Sequence, residues 1–191
     1  MPRAVFLDRD GVLNAPLVRN GLPYPPQTLE EFQVYPEASE ACTLLRKAGF
    51  LLVVATNQPD VGRGTQRLEV VEQMHALLTQ RIPLDRIEIC TAANDNSPDA
   101  ERRKPAPGML LDAARALGLE LALSYMIGDR WRDIDCGHAA GCTTIFIERN
   151  YTEKLRQRPH HYAADLLDAA RLILSFEQPQ PVPLAQAAHL L

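Results

Sequence analysis

Five short apolar runs punctuate the chain, at 4–7, 50–55, 86–90, 125–127 and 143–147. Two of them, FLLVVAT and TTIFI, are nearly all apolar rather than alternating. Strands covered on both faces of a parallel sheet read this way. Between the runs lie amphipathic segments that predict helices at about 37–48, 66–80, 107–117 and 132–140. Gly49, Gly118 and Gly141 stand where helix ends favour a left-handed residue. Strand and helix in alternation predict an α/β fold with a doubly wound parallel sheet. Residues 14–36, with Pro16, Pro23, Pro25, Pro26 and Pro36, read as a long irregular loop too short for a separate cap domain. Residues 91–103 read as a second polar loop at the mouth of the site. From Glu177 the chain runs EQPQPVPLAQ, an extended or disordered composition. The expected division is therefore one domain over 1–176 and a Pro-rich tail over 177–191. No internal repeat is visible.

The length of 191 residues suits one domain with a core of its own. Hydrophobic residues make up 46% and charged residues 23%, and the net charge is -4. Lys and Arg are scattered, which argues against a nucleic-acid partner. No apolar stretch is long enough to span a bilayer and no secretion signal opens the chain, so the expectation is a cytoplasmic protein with no membrane partner. Cys42, Cys90, Cys136 and Cys142 form no C-x-x-C pair and read as small core residues. The histidines, including His160 and His161, read as surface residues, and EKLRQRPHH as a solvated loop.

In doubly wound sheets, ligands bind outside the carboxyl ends of the strands. Asp8 and Asp10 follow the first run, Thr56, Asn57 and Gln58 the second, and Gly128, Asp129 and Asp133 the fourth. The fold thus brings Asp8, Asp10 and Asp129 to one end of the sheet. Three neighbouring carboxylates repel unless a cation sits between them, and oxygen ligands without His or Cys favour Mg²⁺. Lys104 adds a positive charge, and Thr56 and Asn57 add neutral hydrogen-bonding groups. Such a site suits a phosphoryl group, whose charge must be neutralised before an anionic nucleophile approaches. Asp133 reads equally well as an acid facing a helix N-terminus. Trp131 reads as packing. A phospho-accepting receiver domain would share the sheet, the Mg²⁺ and the aspartyl-phosphate. Its acceptor ends the third strand, however, and here IEIC runs into Cys90 and Thr91.

DRDGVLN, TNQ, RRKPAPG and GDRWRDID, in that order over about residues 4–150, resemble the four motifs of the haloacid dehalogenase superfamily of phosphatases. DRDG, TNQ, VGRG and RKPAPGM resemble its capless branch, which holds the D-glycero-D-manno-heptose 1,7-bisphosphate phosphatases and the histidinol-phosphate phosphatases. The resemblance implies a Rossmann-like sheet without a cap, and Mg²⁺-dependent hydrolysis of a sugar bisphosphate through an aspartyl-phosphate. The heptose bisphosphate is the leading substrate, with histidinol phosphate or another small phosphomonoester as the alternative. It implies Asp8 as nucleophile, Asp10 as acid and base, and Thr56 and Lys104 as ligands of the transferring phosphoryl group. The metal would be held by Asp8, the backbone carbonyl of Asp10, and Asp129, with Asp133 in support. Asn57, Arg63 and Arg103 are candidates for contacts to the rest of the substrate. A monomer is expected. The branch often carries a zinc loop of pattern C-x-H … C-x-C-R-K-P. Here Cys90 fills the first position, while Ala92, Ala100 and Arg102 replace the other three ligands. One thiolate makes no structural zinc site, so no zinc is expected.

Overall fold

In the computed structural model, which describes residues 1–177, the first strand β1 (Ala4–Leu7) has no exposed surface at any of its residues. A small hairpin follows, β2 (Leu17–Arg19) and β3 (Leu22–Tyr24), then helix α1 (Ala38–Lys47). Strand β4 (Leu51–Asn57) leads through a short helix α2 (Pro59–Gly62) to α3 (Leu68–Arg81) and β5 (Arg86–Cys90). Helix α4 (Gly108–Leu117), β6 (Tyr125–Gly128), α5 (Trp131–Ala140) and β7 (Thr143–Ile147) come next. The short strand β8 (His161–Ala163) and helix α6 (Leu166–Glu177) complete the described chain.

Six strands form one parallel sheet in the order β5-β4-β1-β6-β7-β8. Successive side chains of β1 point to opposite faces. Val5 and Leu7, with Leu52, Val54, Ile127 and Ile145, pack against α1, α3 and α6 on one face. Ala4 and Phe6, with Val53, Ala55 and Met126, pack against α4 and α5 on the other. Both faces are therefore dry, which explains the unbroken apolar runs. The sheet is doubly wound, as the alternation predicted, and no separate cap appears among the described residues.

The region expected to be an irregular loop holds the β2–β3 hairpin instead. Its turn is Asn20-Gly21 with φ of 52° and 73°, the left-handed pair of a two-residue hairpin loop. The Gly21 carbonyl accepts a hydrogen bond from the Thr152 backbone N–H at 2.9 Å, which docks the hairpin tip on the loop after β7. The supposed solvated loop ends in a strand, since His161 opens β8. His160 is exposed but bonded: its Nδ1 accepts the Thr144 backbone N–H at 3.0 Å. Of the tail expected from residue 177, Glu177 is the last residue of α6 and the remainder lies outside the described residues. No helix among the described residues is long and apolar enough to cross a membrane.

Candidate active site

Strands β1 and β6 lie side by side with Leu7 opposite Ile127, and the Asp8 N–H donates to the Ile127 carbonyl at 3.0 Å. That pairing delivers Asp8 and Asp129 to the same edge. Asp133 joins them from the first turn of α5, where its Oδ2 accepts the Arg130 backbone N–H at 3.0 Å. One carboxylate oxygen from each of Asp8, Asp129 and Asp133 lies within 4.8 Å of the other two. Two glycines make this approach possible. A Cβ on Gly11, whose φ is +95°, would stand 1.7 Å from Asp129 Oδ2. A Cβ on Gly128 would stand 2.1 Å from the Asp133 Cβ.

Lys104 is 1% exposed and serves two of these acids. Its Nζ is 2.8 Å from Asp8 Oδ1 and 2.6 Å from Asp133 Oδ1. Asp8 Oδ1 also accepts the Arg9 backbone N–H at 2.8 Å, while Oδ2 makes no hydrogen bond among the described residues. Burial pushes the Asp8 carboxyl up to about 6, against the pull of Lys104. Burial, with the charges of Asp8 and Asp133, pushes Asp129 well above the carboxylate range. Burial alone would lower Lys104, but Asp133 and Asp8 outweigh it and hold the ammonium charged. Both oxygens of Asp129 are buried without a hydrogen-bond partner among the described residues. Unpartnered buried carboxylate oxygens beside two further acids are the donor set of a hard divalent cation, so the residues fit one.

Asp10 stands apart from that cluster. Arg9, with no exposed surface, forks its carboxylate through Nη2 at 2.9 Å and Nε at 3.2 Å. Asn14 Nδ2 and Gln58 Nε2 donate to it as well, at 2.9 and 3.0 Å. Burial would raise Asp10, but the Arg9 charge and these donors overcome it and hold the carboxyl below its usual range. Behind Arg9, Nη1 lies 3.3 Å from His75 Nε2. Burial and the Arg9 charge push the His75 imidazole down to about 4, so it is a neutral acceptor rather than a surface histidine. Nothing in the sequence pattern points to the Arg9–His75 contact, because a residue between two aspartates can turn either way.

Asp8, Asp10, Asn57 and Lys104 line one cavity of about 60 Å³, roofed by Pro23 and Tyr24 of the hairpin. Arg130 and Arg132 complete its wall and were not singled out by the sequence, although GDRWRDID contains both. Thr56 lies beneath, buried, its hydroxyl accepting Gln58 Nε2 at 2.9 Å. The Asn57 amide is committed to the Lys104 backbone: Oδ1 accepts the N–H at 3.0 Å and Nδ2 donates to the carbonyl at 2.9 Å. Asn57 therefore fixes the lysine as well as lining the cavity. Arg63 and Arg103 do not line it. Arg63 pairs with Asp60 at 2.9 Å, and Arg103 Nη1 donates to the Ala92 carbonyl at 2.8 Å. In the 91–103 loop, Arg102 binds the buried Glu88, and Asp112 at 2.9 Å, while the Cys90 thiol donates to the Asp99 carbonyl at 3.5 Å.

Comparison with known proteins places this arrangement. Residues 101–169 match the family described as HAD-hydrolase-like. The chain is 37% identical over 156 residues to the D-glycero-beta-D-manno-heptose-1,7-bisphosphate 7-phosphatase of Yersinia pestis, covering 76% of this chain and 80% of that one. It is 32% identical over 185 residues to the protein of the same name from Pasteurella multocida, covering 91% and 97%. A solved structure, the D,D-heptose 1,7-bisphosphate phosphatase from B. bronchiseptica complexed with magnesium and phosphate, superposes with a TM-score of 0.76 at 27% identity, covering 92% of this chain and 99% of that one. The chain therefore belongs to the haloacid dehalogenase superfamily of phosphatases, on the branch of these heptose bisphosphate phosphatases, and is a phosphoric monoester hydrolase.

Proposed function

We propose that the chain removes the 7-phosphate of D-glycero-D-manno-heptose 1,7-bisphosphate through an aspartyl-phosphate on Asp8. The observation that carries this reading is the free Oδ2 of Asp8. It belongs to a carboxylate whose Oδ1 is anchored by Lys104, beside the three-acid cluster. The names of the relatives supply the substrate.

Asp8 attacks the phosphorus and the ester P–O bond breaks. The leaving alkoxide takes a proton from Asp10. Water, deprotonated by Asp10, then attacks the phosphorus, releasing phosphate and restoring the Asp8 carboxylate. Arg9, Asn14 and Gln58 hold Asp10 in the ionised form that the second half needs. For the first half it must carry a proton and turn an oxygen to the leaving group. Lys104 screens Asp8 from the incoming dianion, and the Thr56 hydroxyl serves a phosphoryl oxygen. Asp8, Asp129 and Asp133, with the Asp10 carbonyl, would hold Mg²⁺, which supplies charge neutralisation for phosphoryl transfer.

The test is phosphate release from both anomers of the heptose bisphosphate and from histidinol phosphate, with Mg²⁺ and with Asp8→Asn as control. Fast release from the bisphosphate, abolished in the variant, is expected. Preference for histidinol phosphate would overturn the substrate assignment. Activity surviving in Asp8→Asn would overturn the mechanism.

A further inference from the structure

Three cationic side chains reach the cavity that holds Asp8: Lys104, Arg130 and Arg132. Two of them are already neutralised. Lys104 sits between Asp8 and Asp133, and Arg130 Nε donates to Glu153 Oε2 at 2.6 Å while Nη2 contacts Oε1. Arg132 is different. Its nearest carboxylate is the same Glu153 oxygen, 3.6 Å from Nη2 and shared with Arg130. Its Nε is buried and has no hydrogen-bond partner among the described residues. Its guanidinium lies 5.3 Å from the Trp131 ring centre, and Arg156 lies 3.3 Å from that same centre. Arg132 and Arg156 thus flank Trp131, while Arg130 and Arg132, both on the cavity wall, share the single carboxylate of Glu153.

A half-buried guanidinium short of acceptors is costly unless an anion arrives. Its planar fork matches the paired oxygens of an anion such as a phosphate. We propose that Arg132 receives the non-reacting phosphate of a bisphosphorylated sugar while the reacting phosphate stands at Asp8. This rests on the sugar-bisphosphate reading given above. It makes Arg132 a specificity-determining residue rather than part of the bond-breaking machinery. The residue lies on the first turn of α5, two positions from Arg130, so its Cα is fixed by the same turn that places Asp133.

The experiment compares kcat/KM for heptose 1,7-bisphosphate and heptose 7-phosphate in the wild type, Arg132→Met and Arg132→Lys. The two sugars differ in the second phosphate alone. Losing a charge-assisted hydrogen bond should lower kcat/KM on the bisphosphate about ten- to a hundredfold, mostly through KM, and change it less than about threefold on the monophosphate. Arg132→Lys should recover part of the loss. A wild type that prefers the bisphosphate and a Met variant that keeps that preference would overturn the assignment alone. Equal losses on both sugars would also overturn it, because they would mean a structural role. A wild type with no preference for the bisphosphate would overturn the substrate reading and this assignment with it.

Discussion

Lys104→Met keeps an unbranched side chain of nearly the same length and deletes its charge. The variant would leave Asp8 and Asp133 without the ammonium that now stands 2.8 and 2.6 Å from them. Replacing both partners of a buried ion pair by apolar groups can be harmless, but removing one strands the other. The protein has a way out, which sets the size of the effect: a carboxyl can take up a proton. For a group whose ordinary value is 3.8, being neutral at pH 7 costs about 4 kcal/mol, at about 1.4 kcal/mol per pH unit. At pH 5 the same proton costs about 2 kcal/mol. The folded variant then binds a proton that the unfolded chain does not, so its stability rises as pH falls. Urea unfolding in the presence of a chelator should therefore show a loss of about 4 kcal/mol at pH 7 and about 2 at pH 5. A loss of that size is a large share of the stability of a domain. Saturating Mg²⁺ should return much of it, because a cation at the acid cluster does the work of the proton. A loss under about 1 kcal/mol at pH 7, or one that stays constant down to pH 5, would refute the claim that Lys104 balances this cluster.

His75 stays neutral in the fold, at about 4 against an ordinary 6.5, so it contributes stability that is present above pH 6.5 and lost as pH falls towards 4. The stability difference between wild type and His75→Asn should fall by about 2 kcal/mol from pH 7 to pH 5, and a flat difference would discard the Arg9–His75 contact. Gly11→Ala places a methyl group 1.7 Å from Asp129 Oδ2 on a backbone with φ of +95°. Asp129 must then leave the cluster, so the rise in melting temperature on adding Mg²⁺ should vanish along with activity. A variant that melts lower but keeps its full Mg²⁺ response would show that the glycine serves the backbone turn alone.

The strands that carry chemistry were legible because each is buried on both faces and therefore apolar throughout. Their limits moved by no more than a residue or two, as where 50–55 became Leu51–Asn57. The β2–β3 hairpin carried a signal, Asn20-Gly21 between Val18 and Leu22, that the surrounding prolines obscured. Helix α6 also carried one, since Leu166, Ala169, Ala170 and Ile173 are buried at helical spacing. Strand β8 carried none: three residues become a strand because β7 offers them an edge. In the site, Asp8 and Asp129 meet at the strand ends as expected, and Asp133 and Lys104 join them from α5 and from the loop before α4. What the sequence did not disclose depends on where side chains turn. Asp10 faces Arg9 rather than the acid cluster, Asn57 grips the Lys104 backbone, and Arg132 rather than Arg63 or Arg103 lines the cavity.

The position of β1 in the sheet has a consequence for how the protein is made. One edge of this strand is matched by residues 51–54 and the other by residues 125–127. Asp8 is thus synthesised well before Asp129, the acid it must meet. Until β6 has been synthesised, an apolar strand keeps one edge open, the kind of surface that recruits other chains. Parallel pairings across such sequence distances are slow to form. Any stall or truncation before residue 125 yields a chain with its nucleophile present and no cluster to hold it. Phosphatase activity is therefore a readout of completed folding, and holdase chaperones would find their binding site in the same strand that later presents the catalytic aspartate.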